Sequence, residues 1–125
     1  MLVEGDDTNE PISDTVRGIV DVHIVLTRKL ANSNHYPAID INASISRLMN
    51  DIATKEHNDN AKKIRDILSV YYANYDLISI GAYKKGSNLK LDEAISKIDK
   101  VNDFLKQGVN DKYTYEDILK LMEEI

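Results

Sequence analysis

Tyr36-Pro37-Ala38-Ile39-Asp40-Ile41-Asn42-Ala43-Ser44-Ile45-Ser46-Arg47 carries no helical stripe and little charge, with one ring at its start and one guanidinium at its end. Everything after it reads as helical, and everything before it reads as the tail of a mixed α/β unit. Pro37 biases Tyr36 toward extended backbone, and Asn32-Ser33-Asn34 just upstream is turn chemistry, so the stretch is expected to be non-helical. A segment that presents Tyr36 and Arg47 at its two ends is suited to bring a flat apolar ligand and an anionic one to a single edge.

Downstream, the pattern changes near residues 50–54. Ala61, Ile64, Leu68, Tyr71, Tyr75 and Ile78 recur at steps of three and four, with charged residues between them. That spacing predicts a long amphipathic helix with Thr54 as its cap and Gly81 as its stop. A polar turn, Tyr83-Lys84-Lys85-Gly86-Ser87-Asn88, leads to a second helix capped by Asn88, striped by Leu91, Ile95, Ile98, Val101 and Leu105, and ending at Gly108. A third, shorter helix follows Thr114, whose spacing to Asp117 matches a capping box, with Tyr115, Ile118, Met122 and Ile125 on one face. Short loops between these helices favour an antiparallel helical bundle.

Upstream, a short helix running to Asp21 is expected, capped at Ser13 or Asp14. The run from His23 to Arg28 is β-branched and apolar and predicts a buried strand, followed by a helical turn over residues 29–32. Met1-Leu2-Val3-Glu4 reads as the end of another strand, as if the chain were cut inside a sheet whose other members lie upstream. Without parallel neighbours, the 23–28 strand would carry an open edge, leaving residues 1–35 poorly ordered or paired with a second copy. The expected class is therefore mainly α: a helical bundle over residues 53–125, preceded over residues 1–52 by the last strand and helix elements of an α/β domain.

Among 125 residues, 42% hydrophobic and 30% charged, there is enough apolar material for one modest core. No cysteine occurs, which excludes disulfides, a thiolate nucleophile and a Cys-based zinc site. The net charge of −5 argues against a nucleic-acid backbone binder. No apolar run reaches the roughly 20 residues of a membrane span. His23, His35 and His57 lack metal-ligand spacing and read as structural or solvent-facing, so no metal site is expected. Asp6 and Asp7 sit in a loop where solvation or capping is the common role.

Several blocks, in order, carry a family resemblance: Thr15-Val16-Arg17-Gly18-Ile19-Val20-Asp21, the run from His23 to Ala31, His35-Tyr36-Pro37-Ala38-Ile39-Asp40 and Ser44-Ile45-Ser46-Arg47. Together they resemble the flagellum-specific export ATPases, relatives of type III secretion ATPases and of the rotary ATP synthase catalytic subunit. The run from Ile80 to Asn88 is similar to the flagellar branch in particular. The resemblance implies the end of a RecA-like nucleotide-binding domain followed by a helical C-terminal domain, from an ATPase that uses ATP and Mg²⁺ to drive export of flagellar proteins.

The same resemblance implies an arginine finger at Arg47, reaching the γ-phosphate bound by a neighbouring subunit, and an adenine-stacking ring at Tyr36. Phe104 and Val109 fall where ATP synthase relatives place further adenine-pocket residues, and Val109 departs from the aromatic found there. Lys84, Lys85 and Lys90 form a basic tip expected to meet a coiled-coil stalk protein or an export chaperone. A homohexamer at the cytoplasmic face of a membrane export gate follows from the family. Plainer roles stay open on the residues alone: Arg47 paired with Asp51, Tyr36 and Phe104 as core, the lysines as a solvated turn. The GxxxxGK[ST] phosphate loop is absent, because Gly5, Gly18, Gly81, Gly86 and Gly108 are scattered and no Gly-Lys-Ser/Thr occurs. This chain alone is therefore expected not to hydrolyse ATP. Alternatives are a non-catalytic helical interaction module, or a rotary synthase subunit, against which the 81–88 turn counts.

Overall fold

The structure, a computed structural model, describes residues 5, 7 and 9–125. The strand end expected at Met1–Glu4 lies outside the described residues. The elements are α1 (Pro11–Ile19), β1 (Val22–Leu26), α2 (Arg28–Asn32), β2 (Ile39–Ser46), α3 (Met49–Ile52), α4 (Lys55–Ala73), α5 (Tyr75–Ser79), α6 (Leu89–Leu105) and α7 (Tyr115–Glu123). The mainly helical class holds, with one short two-stranded sheet.

β2 is where the structure says more than the sequence reading. The stretch expected to be non-helical is, over Ile39–Ser46, an eight-residue strand, and it pairs antiparallel with β1. Val22 faces Ser46 and His23 faces Ile45; unbroken register would then set Val25 opposite Ala43, yet Val25 faces Asp40. Three extra residues of β2 therefore bulge out between the two halves of the ladder. Ser44 supplies the missing partner: its hydroxyl accepts the Val25 N–H at 2.9 Å and donates to the Asp40 carbonyl at 2.6 Å. An odd number of inserted residues reverses the faces of a strand. Ile41 accordingly packs on the helical core, whereas Ile45 is exposed.

β1 is not the buried strand expected. Ile24 is 64% exposed, and Val22 and Leu26 share its open face. The physical reason is that β1 has a single strand partner among the described residues, and the helix that meets the sheet packs on β2. α1 also starts earlier than expected. Pro11 occupies its first position, and the Glu10 carboxylate accepts the Ser13 N–H at 3.2 Å, so Glu10 is the cap and Ser13 sits inside the first turn.

The predicted long helix is interrupted at Asn74. Its side-chain amide donates to the Val70 carbonyl at 2.9 Å, a local bond that competes with continued helix, and the chain resumes as α5. Gly81 is the stop of α5 in the left-handed region, φ 71°, with Ala82 N–H on the Leu77 carbonyl and Gly81 N–H on the Ile78 carbonyl. α6 begins at Asn88 as expected but ends at Leu105, because Lys106 is extended and Gln107 turns its N–H to another segment.

Ile64, Ile67 and Leu68 of α4, Ala94, Ile98 and Val101 of α6, and Met122 and Ile125 at the end of α7 form one core. Thr114 and Asp117 make the reciprocal capping box: Thr114 Oγ1 accepts the Asp117 N–H at 3.2 Å, and Asp117 Oδ2 accepts the Thr114 N–H at 3.1 Å. Those bonds hold the Asp117 carboxyl below the usual aspartate range. A depressed folded value stabilises above the unfolded pKa and is lost as pH falls through the folded one, so the box weakens in acid. Thr114→Ala is expected to cost about 1 kcal/mol in chemical denaturation of this chain at neutral pH, and less once Asp117 is protonated. α7 is further fastened to the start of α4, where the Tyr115 hydroxyl lies 3.0 Å from His57 Nδ1 with the rings edge to face.

Candidate functional site

The two residues singled out by the opening stretch stand at opposite ends of β2. Across the ladder the Arg47 N–H bonds to the Asp21 carbonyl and the Thr27 N–H to the Ala38 carbonyl, six strand steps apart on the unbulged side, so at about 3.3 Å per step the two ends are roughly 20 Å apart. The two residues therefore stand at separate ends of the ladder and not at a single edge.

At the first end the backbone around Tyr36 is tied from three sides. Asn34 takes a left-handed conformation, φ 59°, which Asn tolerates, and His35 N–H bonds to the Leu30 carbonyl at 2.9 Å. The His35 ring is buried, with Nδ1 3.2 Å from the Pro37 carbonyl oxygen. A carbonyl only accepts, so Nδ1 is the donor in this contact. Thr27 N–H bonds to the Ala38 carbonyl and Gln107 N–H to the Tyr36 carbonyl, each at 2.9 Å. The Tyr36 ring itself is 53% exposed. The result is a fixed backbone carrying a free aromatic face.

The Gln107–Tyr36 bond also brings the end of α6 to this site. Phe104, half-buried, lines a cleft of about 480 Å³ together with Ile39, Gln107, Tyr113, Ile118 and Leu121. Tyr36 and Phe104 are joined through backbone, with no ring contact between them among the described residues. Val109 stands apart. It is fully exposed, in a turn closed by Gly108 N–H on Asp111 Oδ2 at 2.7 Å, and it lines neither this cleft nor its neighbour. The neighbouring cleft, about 590 Å³, runs between β2 and α4 and is lined by Tyr71, Tyr72 and Tyr75. Burial is the first cause pushing the Tyr71 and Tyr72 hydroxyls upward, so both stay neutral.

At the far end of β2, Arg47 N–H bonds to the Asp21 carbonyl at 2.9 Å, and Nη1 donates to the Gly18 carbonyl at 3.2 Å. Gly18 is in the last turn of α1, where carbonyls lack helical partners and a cation is favoured. Arg47 is exposed, and among the described residues no carboxylate pairs with it, so the pairing with Asp51 is not formed. One N–H of the fork is used, and the others face solvent.

The basic tip lies between α5 and α6. Lys84, Lys85 and Lys90 are all exposed. Sequence reasoning singled out the lysines and missed what shapes the turn. The Tyr83 hydroxyl donates to Asp92 Oδ1, and Gly86 N–H donates to Asp92 Oδ2 at 2.9 Å. The bond to Asp92 is the leading cause that raises the Tyr83 hydroxyl above its ordinary value. An aromatic nine residues before an aspartate carries no sequence signal of its own.

Comparison with known proteins sets this geometry in a family. The model of the type III secretion EscN ATPase C-terminal domain matches residues 53–124, and that of the ATP synthase alpha/beta nucleotide-binding domain matches residues 1–46. The flagellum-specific ATP synthase of Bacillus subtilis is 50% identical over 125 residues, which is all of this chain and 28% of that protein. The assembled ATPase EscN of the enteropathogenic E. coli type III secretion system superposes with a TM-score of 0.94 at 40% identity, over 99% of this chain and 30% of that one. EscN in complex with its central stalk EscO gives a TM-score of 0.85 at 39% identity, over 92% and 28%. The chain spans less than a third of the length of these relatives. With the C-terminal domain model covering more than half of its residues, the chain belongs to the flagellar and type III secretion ATPase family of the ATP synthase alpha/beta superfamily.

Proposed function

We propose that this chain is the C-terminal part of a flagellum-specific ATPase that couples ATP hydrolysis to export of flagellar proteins, working as a homohexamer on the cytoplasmic side of a membrane export gate. Residues 1–52 complete the nucleotide-binding domain, and residues 53–125 form the helical domain. The observation that carries the reading is the β1–β2 ladder: an exposed ring and an exposed guanidinium flank it at opposite ends, as expected of a subunit that borders two nucleotides.

ATP with Mg²⁺ supplies the transferable phosphoryl group. The residues here fit its two extremities. Tyr36, on its tethered backbone, offers a face on which an adenine can stack, and the Gln107–Tyr36 bond brings the Phe104 cleft to the same end. Val109, in solvent, would contribute only to a base or segment brought to it. At the other end, the free donors of Arg47 suit the spread negative charge of a phosphoryl group in a neighbouring subunit. With no phosphate loop in this chain, hydrolysis belongs to the full-length ring. The open face of β1, with Val22, Ile24 and Leu26, is the surface on which the rest of the nucleotide-binding domain would pack.

Removing the Tyr36 ring tests the adenine side. In the full-length protein, Tyr36→Ser is expected to raise the ATP KM about 5- to 10-fold with turnover per ring largely kept, since a lost stacking contact is worth about 1 kcal/mol. An unchanged KM in steady-state hydrolysis would remove Tyr36 from the site. The exposed lysines of the tip are proposed to meet a coiled-coil stalk protein, in keeping with the stalk complex of the relative. Export chaperones and substrates are further proposed partners of the ring.

A further inference from the structure

Asp92 stands in the first turn of α6, where an acid ordinarily does no more than oppose the partial positive charge of a helix start. Here both of its oxygens reach back across the cap into the preceding turn, one to the Tyr83 hydroxyl and one to the Gly86 N–H. Gly86 has φ 90°, a conformation open to glycine, and this sets its N–H toward Asp92. The Tyr83 hydroxyl also lies 3.2 Å from the Asn88 carbonyl, which joins the first and last residues of the turn. Within it, Ser87 donates to the Lys84 carbonyl twice, from N at 3.2 Å and from Oγ at 2.6 Å. Every bond of this set leaves the Lys84 and Lys85 ammonium groups outside. No carboxylate of the described residues pairs with either lysine, and Leu89, beside the cap, is 83% exposed.

We propose that residues 83–92 are a preformed docking knuckle for an acidic helical face, in which Lys84 and Lys85 supply the charge, Leu89 the apolar contact, and Asp92 is the positioning residue that fixes the turn through Tyr83 and Gly86. The inference rests on the stalk-facing reading of the tip and deepens it by naming what holds the tip in shape. Two exposed cations carried on an ordered turn beside an exposed leucine match a coiled-coil helix whose apolar seam is bordered by Asp and Glu. A turn ordered before contact avoids the cost of immobilising it on binding, so the clamp acts on affinity although it touches no partner.

The test uses the full-length ATPase and the purified coiled-coil stalk protein of the same export apparatus, with affinity read by calorimetry and unstimulated hydrolysis as a control. Tyr83→Phe and Asp92→Asn are each expected to weaken stalk binding on the order of ten-fold, with the double variant no weaker than either single one and basal hydrolysis unchanged. Leu89→Ser is expected to weaken it by a similar factor. The ultraviolet titration assigned to Tyr83, as wild type minus Tyr83→Phe, should move to lower pH in Asp92→Asn, a signature that general destabilisation would not give. If Lys84→Glu/Lys85→Glu loses the stalk while Tyr83→Phe and Asp92→Asn bind as wild type, the clamp is wrong and the stalk-facing reading stands. Wild-type affinity in the double lysine reversal would overturn that reading and the knuckle together.

Discussion

Arg47→Ala in the full-length protein is expected to lower ATP turnover by roughly 10³- to 10⁵-fold, the range an arginine finger contributes to phosphoryl transfer. The size follows from where charge develops. The transferred group carries negative charge spread over its oxygens, and a planar, permanently charged fork placed against it acts in the transition state far more than in the bound ground state. The proposed role has support in how Arg47 is held, its backbone by the Asp21 carbonyl and one N–H of its fork by the Gly18 carbonyl at the end of α1. Arg47→Lys should stay closer to the alanine variant than to wild type, because an ammonium lacks the fork that spans an anchor and a phosphate at once. Nucleotide affinity and ring assembly should change little, which sedimentation with bound nucleotide would check.

Action across a subunit boundary has its own consequence. Subunits with Arg47→Ala, mixed with subunits disabled in their phosphate loop, should regain part of the wild-type turnover, because some interfaces then pair an intact loop with an intact arginine. Action within one subunit predicts no recovery. Rings of the alanine variant that turn over at the wild-type rate would remove Arg47 from the mechanism.

How much of this was legible depended on whether the signal was local. Thr54, Asn88 and the Thr114–Asp117 box were readable because a cap is decided by a few neighbouring residues. The alternation Ile39-Asp40-Ile41-Asn42-Ala43-Ser44-Ile45-Ser46 has the period of a strand, yet it could be taken for an irregular segment because its partner lies across α2 and the two are joined through a three-residue bulge. The burial of β1 was overstated for a related reason: an apolar run shows that a strand can be covered, not what covers it. Asn74 interrupts a pattern whose apolar spacing continues unbroken to Ile78, since a side-chain amide on a backbone carbonyl leaves no mark on periodicity. At the candidate sites, Tyr36 and Arg47 were found through resemblance, whereas their supports, His35, Gln107 and the Gly18 carbonyl, come from three separate parts of the chain.

The helical bundle gives the other large effect. Leu68→Ala is expected to destabilise this chain by about 2–5 kcal/mol in equilibrium denaturation. Leu68 is 3% exposed and sits in the cluster shared by α4, α6 and the end of α7, so a truncated side chain there loses its own transfer free energy and leaves a cavity that three helices cannot close together. The sheet contributes little to that cluster beyond Ile41, which makes α4 the element on which the rest of the bundle depends. Ile52→Ala is the matched control: the residue is as apolar, but it is exposed on α3, and its loss should stay within about 0.5 kcal/mol. Equal costs at the two positions would mean that the core does not lie between α4 and α6. A full-size loss at Leu68 with an unchanged m-value would place the damage in the folded bundle and not in the unfolded ensemble.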